Sequence, residues 1–174
     1  YSDYSFTTFT SVLDYDYDES IIVSSFSKGP AMTGFRVGYA VANSDIIQKM
    51  TKLQAVALTS VAEPMQYGAL GALEHNNVKK NAETMKKRLS LITSRLKKMP
   101  VSFAEPDGAM YVFPRVDITG FSADQFVENA LDQGLALTPG SGFGSYPNFL
   151  RISAGQPEDV IERGMDILQR SLTK

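Results

Sequence analysis

Short apolar runs alternate with polar, glycine-containing loops in the first half of the chain, a pattern typical of α/β proteins. A β-branched run at residues 21–25 and an apolar run at 37–42 predict two short strands, the first of them buried. Helices are predicted over about 46–58, behind a polar capping cluster, and over 63–74. The loop at 26–36 lies at strand ends, where open α/β sheets bind their ligands.

A long amphipathic helix is predicted in the middle of the chain. Between residues 78 and 99 apolar side chains recur from Met85 at spacings of four, three and four, and Pro100 is expected to end the helix. An α+β pattern follows, with strands predicted at 109–113, 135–138 and 149–153 and helices at 122–133 and from 156. Because a helix with one apolar stripe can link two domains and the composition changes after it, a domain boundary is expected near this helix.

Composition and charge exclude several classes of function. The 174 residues are 43% hydrophobic and 21% charged, which suits one or two globular domains with a real core. The net charge of -2, with acids and bases interspersed, gives no support to binding of nucleic acid or of an anionic membrane. The lack of cysteine excludes disulfides, thiolate zinc sites and a cysteine nucleophile. His75 is the only histidine and no Gly-x-Ser-x-Gly elbow is present, which disfavours a Ser-His-Asp triad.

The chain carries no visible targeting or membrane signal. No apolar run approaches the roughly 20 residues that span a bilayer, and the polar and aromatic start lacks the basic region of a signal peptide. A cytoplasmic location is therefore expected. Since the sequence starts at Tyr1 without an initiator methionine, we expect a fragment, a cleaved product or part of a larger protein.

The most informative stretch runs from Ser25 to Gly38 and reads Ser-Phe-Ser-Lys-Gly-Pro-Ala-Met-Thr-Gly-Phe-Arg-Val-Gly. Arg36 can grip a phosphate with two hydrogen bonds, and nearby backbone N–H groups and hydroxyls add donors. Lys28, beside fixed positive charge and expected to be partly shielded from water, is a candidate nucleophile that can form an imine with an aldehyde. The hydroxyls stand at Ser24, Ser25, Ser27 and Thr33. Ordinary solvated charges on a surface loop are the alternative interpretation.

The whole string resembles the lysine-attachment signature of class I and II aminotransferases, a fold type I family that depends on pyridoxal 5'-phosphate (PLP). The resemblance implies that Lys28 carries the cofactor and that Ser25, Ser27 and Arg36 hold its phosphate. It covers nearly the whole chain but only the second half of the family's usual length. The family's glycine-rich phosphate turn, the aromatic residue that stacks on the ring and an asparagine of the site are missing.

Two positions near the start of the chain bear on the cofactor ring. Asp3 stands where the family has an aspartate that pairs with the ring nitrogen and keeps it protonated, so that the ring accepts electrons. Phe6 stands where the family usually has a tyrosine that bonds to the cofactor's phenolic oxygen. Loss of that hydrogen bond is expected to slow turnover or alter the choice of reaction, without preventing binding of the cofactor.

A second segment, Thr138 to Gly144 followed by 149–153, resembles part of the family's small domain. The resemblance implies that Arg151 holds the α-carboxylate of the substrate in a two-pronged pair. The alternative is a strand arginine in a surface ion pair. The segment from Asp107 to Tyr111 resembles the strand that opens the small domain and is given no catalytic role.

The fold class implied by the resemblance is α/β: the end of a mainly parallel PLP-binding large domain, followed by an α+β small domain. Residues 1–75 would complete the large domain, and residues 76–174 would form the linker helix and the small domain that closes on substrate. The family also forms homodimers in which each subunit contributes residues to the active site of its partner. Thr59 and Ser60 lie where members of the family contribute such residues.

The implied function is PLP-dependent transfer of an amino group between an amino acid and a 2-oxo acid. Three alternatives remain open: a related PLP enzyme such as a C–S lyase or a cyclopropane-forming synthase, the effector-sensing domain of a transcription regulator, and a non-catalytic fragment. No metal is expected. Some relatives carry an arginine in the segment between Leu53 and His75 that binds the side-chain carboxylate of aspartate or glutamate. This chain has no arginine there, and that absence disfavours an enzyme specific for dicarboxylic substrates.

Overall fold

The protein is represented by a computed structural model that describes residues 20–75, 77–116 and 122–172. Within these ranges the chain divides into two compact units, which comprise residues 20–82 and 83–172. The division falls inside a long helix that contributes its first turns to one unit and the remainder to the other. The predicted domain boundary after residue 75 stays a prediction.

The first unit contains a β-ribbon followed by helices. Its elements are β1 (Ile22–Ser25), β2 (Gly38–Val41), α1 (Ser44–Ala57), α2 (Glu63–His75) and the first turns of α3 (Val78–Leu96). Helix α1 begins two residues before the predicted start at 46, because the Asn43 side chain caps it by accepting a hydrogen bond from the Ile46 N–H at 2.9 Å. A single turn of 3-10 helix, Thr33–Phe35, lies in the loop between the strands.

Strands β1 and β2 form a two-stranded ribbon, and the first differs from the prediction in its burial. They pair antiparallel, with Ile22 opposite Val41 and Ser25 opposite Gly38, and the prediction of a mainly parallel sheet for the whole domain stays a prediction. The loop between them folds back on itself and supplies no crossover of the kind that parallel strands need. The prediction of a buried first strand was wrong for this chain, since Val23 is 73% exposed and no described element of this unit covers it.

The second unit surrounds one hydrophobic core with helices and short strands. After α3 come β3 (Val101–Ser102), β4 (Tyr111–Val112), β5 (Arg115–Val116), α4 (Ala123–Asp132), β6 (Thr138–Pro139), β7 (Leu150–Ser153) and α5 (Glu158–Leu172). Strand β7 lies between β4 and β6, β3 pairs with β5, and every one of these described pairs is antiparallel. None of the helices in the described ranges is long and apolar enough to cross a membrane.

The core of the second unit forms on the predicted apolar stripe of α3. Leu89, Ile92 and Leu96 are buried there together with side chains from α4, β7 and α5. The helix ends at Leu96, slightly before the predicted end, since the residues that precede Pro100 close a tight turn. Burial of this stripe is what anchors α3 in the unit.

Helix α4 begins and ends where the sequence predicts. The Ser122 hydroxyl accepts from the Gln125 N–H, and the Gln125 side chain accepts from the Ser122 N–H at 3.0 Å, which forms a capping box. Gly134 follows the helix with a φ of 86°, a left-handed conformation that favours glycine.

We predict that Leu96→Ala lowers the free energy of unfolding by about 2–5 kcal/mol, because Leu96 is fully buried and its loss leaves a cavity. Leu131→Ala is the matched control, since Leu131 is 60% exposed, and it should change stability by less than about 0.5 kcal/mol. Urea unfolding of both variants measures the difference. Equal effects would contradict the position of the core.

Candidate active site

The loop between β1 and β2 is folded over its own small apolar core. Phe26, Met32 and Val37 are buried together with Ala69 of α2. The Phe26 N–H donates to the Val37 carbonyl at 3.1 Å and the Met32 N–H donates to the Phe26 carbonyl at 3.2 Å. These contacts turn the apolar side chains of the loop inward and leave its polar side chains outside.

Helix α2 comes close to this loop at a glycine. A Cβ built at Gly68 would lie 2.7 Å from a ring carbon of Phe35, so a side chain at that position would displace the ring. The small residue therefore allows the helix to support the 3-10 turn that leads into Arg36.

Lys28 and Arg36, two of the three predicted cationic site residues, lie in this one loop and both are exposed. Arg36 has a φ of 57°, a left-handed conformation that is uncommon for arginine, and its Nη1 donates to the Thr33 carbonyl at 3.0 Å. Neither cation has a carboxylate partner in the described part of the chain. The expectation that Lys28 is partly shielded was wrong for this chain, because the loop directs it away from the apolar core.

The hydroxyls of the loop divide into two kinds. Ser25 Oγ accepts from the Ser27 N–H at 3.0 Å, which leaves its own O–H hydrogen available to another acceptor. Thr33 Oγ1 instead donates to the Ser27 carbonyl at 2.8 Å, so its hydrogen is already used. Ser25 and Ser27 thus remain candidate donors to an anion, whereas Thr33 stabilises the loop.

A residue that the sequence analysis missed fixes the chain just after Lys28. The Asn81 side-chain amide donates to the Gly29 carbonyl at 2.9 Å, across 52 positions of sequence. Val78 lies one helical turn earlier, and its methyl groups would be 3.5 Å from a Cβ built at Gly29. No local signal in the sequence identifies this contact, because it forms only when α3 packs on the loop.

Arg151, predicted to bind the α-carboxylate of the substrate, lies on β7 in the second unit and is half-buried. Its Nη2 donates to Thr138 Oγ1 at 3.3 Å, and its guanidinium carbon lies 4.5 Å from the Tyr111 ring centre and 4.9 Å from the Phe143 ring centre. It forms no ion pair with a residue in the described ranges. The alternative of a surface ion pair is therefore not observed there.

An aromatic cluster adjoins Arg151. Phe113 stacks on Phe149 with ring centres 5.0 Å apart, and Phe143 and Tyr146 approach Phe113 edge-on at 5.9 and 5.6 Å. The turn that carries Phe143 starts at Gly140, where any Cβ would overlap the Tyr146 carbonyl oxygen. The cluster therefore fixes the position of the Phe143 ring.

Four of the six predicted site residues lie within one short segment of the first unit. The other two, Arg151 and Asp3, lie elsewhere in the chain. Ser25 ends β1, and Ser27, Lys28 and Arg36 lie in the loop that follows it in the first unit, whereas Arg151 belongs to the second unit. Asp3 lies outside the described residues, as does Phe6. Over residues 20–75, 77–116 and 122–172, no cluster of three or more His, Asp or Glu side chains could hold a metal ion.

Comparison with known proteins decides the family. The model of a family described as aminotransferase class I and II matches residues 1–168. This chain belongs to the class I and II aminotransferases. The resemblance found on the lysine loop is confirmed by a match that covers nearly the whole sequence.

Solved aminotransferases share this α/β fold. A structure described as an aromatic aminotransferase from Pyrococcus horikoshii is 34% identical with a TM-score of 0.86 and covers 99% of this chain and 48% of its own. An aspartate aminotransferase from Thermotoga maritima is 33% identical with a TM-score of 0.85, covering 97% and 44%. A curated aspartate aminotransferase of Pyrococcus horikoshii is 36% identical over 162 residues, which are 89% of this chain and 41% of the relative. The chain thus spans less than half the length of these aminotransferases.

Loss of the Asn81 amide should loosen the loop around Lys28. In protein without PLP, we predict that Asn81→Ala raises the rate of tryptic cleavage after Lys28 about 2- to 10-fold relative to cleavage after Lys49, since a hydrogen bond contributes about 0.5–1.5 kcal/mol. Asn81→Asp has nearly the same size but cannot donate, so it should behave like Asn81→Ala. Wild-type cleavage in Asn81→Asp would show that the hydrogen bond does not hold the loop.

Proposed function

We propose that this chain is part of a PLP-dependent aminotransferase that transfers an amino group between an α-amino acid and a 2-oxo acid. The observation that carries the proposal is the lysine loop, which presents an amine and a guanidinium without carboxylate partners among the described residues. An amine, a guanidinium and two serine hydroxyls, all between Ser25 and Arg36, are the donor set that an aldehyde with a phosphate group requires. The family match supports the same conclusion.

The residues of the loop fit PLP. Arg36 uses Nη1 for the Thr33 carbonyl, which leaves its other N–H groups for phosphate oxygens, and Ser25 and Ser27 add O–H donors. Lys28 would hold the cofactor covalently through Nζ. PLP, when bound, supplies an electrophilic carbon and an electron-accepting ring.

The protein's own groups then have separate roles. Lys28 Nζ, once displaced by the substrate amine, would take the proton from the substrate Cα and return it as general base and acid. Asp3 would pair with the ring nitrogen. Arg151 would bind the α-carboxylate through the N–H groups that Thr138 leaves open, which orients the Cα–H bond for proton transfer.

The domain assignment is part of the proposal. We propose that residues 1–75 complete a large cofactor-binding domain with a mainly parallel sheet and that residues 76–174 form the linker helix and the small domain. The relatives are more than twice as long as the matched part, so the complete protein would supply the rest of the site. The predicted cytoplasmic location stays a prediction.

The substrates proposed are an α-amino acid and a 2-oxo acid, without a choice of side chain. The similar proteins carry names that refer to aspartate and to aromatic amino acids. The absence of arginine between Leu53 and His75 disfavours a strict dicarboxylate enzyme, unless another part of the protein supplies the cation.

We also propose a homodimer, as is usual in the family. In this chain none of the residues of α1 is buried and Val56 is 82% exposed, so a partner subunit or the rest of the protein would cover this helix. Thr59 follows this helix with a φ of 64°. We propose that Thr59 and Ser60 contribute to the active site of the partner subunit. A left-handed threonine is sterically costly, and such positions concentrate at functional sites.

A related PLP enzyme, such as a C–S lyase, is the second candidate, favoured by Phe6 in place of the usual tyrosine. Incubation of the protein at its natural length with several amino acids and a 2-oxo acid separates the two functions. The aminotransferase requires a new amino acid whose formation depends on the 2-oxo acid. Release of ammonia or sulfide without an acceptor would contradict it, and Lys28→Ala should abolish either reaction.

Arg36 should contribute strongly to cofactor affinity. We predict that Arg36→Ala weakens PLP binding about 10- to 100-fold, since hydrogen bonds to charged groups contribute about 1.5–3 kcal/mol, and that Arg36→Lys falls between it and the wild type. Both substitutions keep a Cβ in the left-handed backbone, so the strain is unchanged. Titration of the natural-length protein with PLP measures the affinity.

Lys86→Ala is the control for this prediction, because Lys86 is an exposed cation on α3 outside the loop. It should bind PLP like the wild type. If the two arginine variants also bound PLP normally, Arg36 would not be a phosphate ligand.

A further inference from the structure

We propose that Tyr111 and Phe143 are positioning residues that hold Arg151 for the substrate carboxylate. The inference rests on the proposed function, in which Arg151 binds that carboxylate. Both rings lie within 5 Å of the guanidinium carbon, at 4.5 Å for Tyr111 and 4.9 Å for Phe143. At such distances the π-electrons of a ring attract a cation.

The register of the sheet places these groups on one face. Tyr111 pairs with Ser153 and Thr138 pairs with Arg151, and side chains two residues apart on a strand point to the same side. The neighbours of Arg151 on β7, Leu150 and Ile152, point into the core. Arg151 therefore shares its face of the sheet with Tyr111 and Thr138.

Phe143 reaches Arg151 from outside the sheet. It ends the turn Gly140–Phe143, which is tied to α4 by a hydrogen bond from Ser141 Oγ to Asp124 Oδ1 at 2.6 Å. Its ring packs edge-on against Phe113, and 46% of its surface remains exposed. An exposed ring fixed in this way defines one side of the space beside the guanidinium.

The contacts of Arg151 restrict its freedom without neutralising it. A carboxylate partner would compete with the substrate, whereas rings attract the cation and leave its N–H edge free for hydrogen bonds. A guanidinium has five N–H donors, and one bond, to Thr138, is made in the described ranges. The aromatic contacts thus prepare a flexible side chain for a two-pronged bond to a carboxylate, which lowers the entropy lost when that bond forms.

The test compares ring removal with ring retention in the natural-length, PLP-loaded protein. Tyr111→Leu and Phe143→Leu should each raise the KM for the amino acid about 3- to 30-fold, as expected for loss of one cation–π contact, and leave kcat within about twofold. Tyr111→Phe keeps the ring and should restore the wild-type KM. Leu131→Ala is the control, since Leu131 is exposed on α4 and lies outside the aromatic cluster.

A binding measurement that needs no turnover accompanies the kinetics. Titration with propionate, a carboxylate without an amino group, should shift the Arg151 Nε–H NMR signal in the wild type. In the two leucine variants the shift should require a higher propionate concentration. If Tyr111→Leu does not fold, Phe143→Leu decides, because its half-exposed ring is the milder loss.

The outcomes separate this inference from the proposed function. If Arg151→Ala raises the KM but the leucine variants behave like the wild type, the positioning role is overturned and the role of Arg151 stands. If Arg151→Ala alters neither KM nor propionate binding, the proposed carboxylate site falls, and the positioning role with it. A rise in KM for Tyr111→Phe equal to that of Tyr111→Leu would also contradict a role of the ring.

Discussion

The lysine loop depends on the burial of three apolar side chains, Phe26, Met32 and Val37, against α2. Burying side chains of this size contributes about 1.5–3 kcal/mol each, which offsets the entropy of ordering a loop rich in glycine and serine. Once these side chains face inward, the chain must reverse between β1 and β2. Lys28 and Arg36, eight positions apart in sequence, then project from one loop. The chemistry of the proposed site follows from this packing.

Neutral groups hold the arginine of each candidate site. Arg151 is surrounded by rings and a hydroxyl, and within the described ranges no carboxylate neutralises it. Arg36 is likewise held by a backbone carbonyl and has no acidic partner there. Both arginines are therefore ordered by neutral groups that leave N–H donors open. That arrangement suits anions that bind and leave during turnover, such as the carboxylate of a substrate.

Much of the local structure could be predicted from the sequence, because local signals decide it. The polar capping cluster before α1, the start of α4 at Ser122 and the stripe of α3 are short-range patterns, and these predictions were confirmed. The direction and exposure of β1 were not predicted, because an apolar run does not reveal which strand lies beside it or what covers its faces. The contacts of Asn81 with Gly29 and of Tyr111 with Arg151 join distant positions, so only the packed structure identifies them.

The central claim is that Lys28 is the lysine that binds PLP covalently. The most direct test is to treat the protein at its natural length with PLP and borohydride, measure its intact mass, and map the modified residue. We expect addition of one reduced pyridoxyl phosphate per chain, on Lys28, and none in Lys28→Ala. No addition, or addition at another lysine while Lys28 stays unmodified, would contradict it.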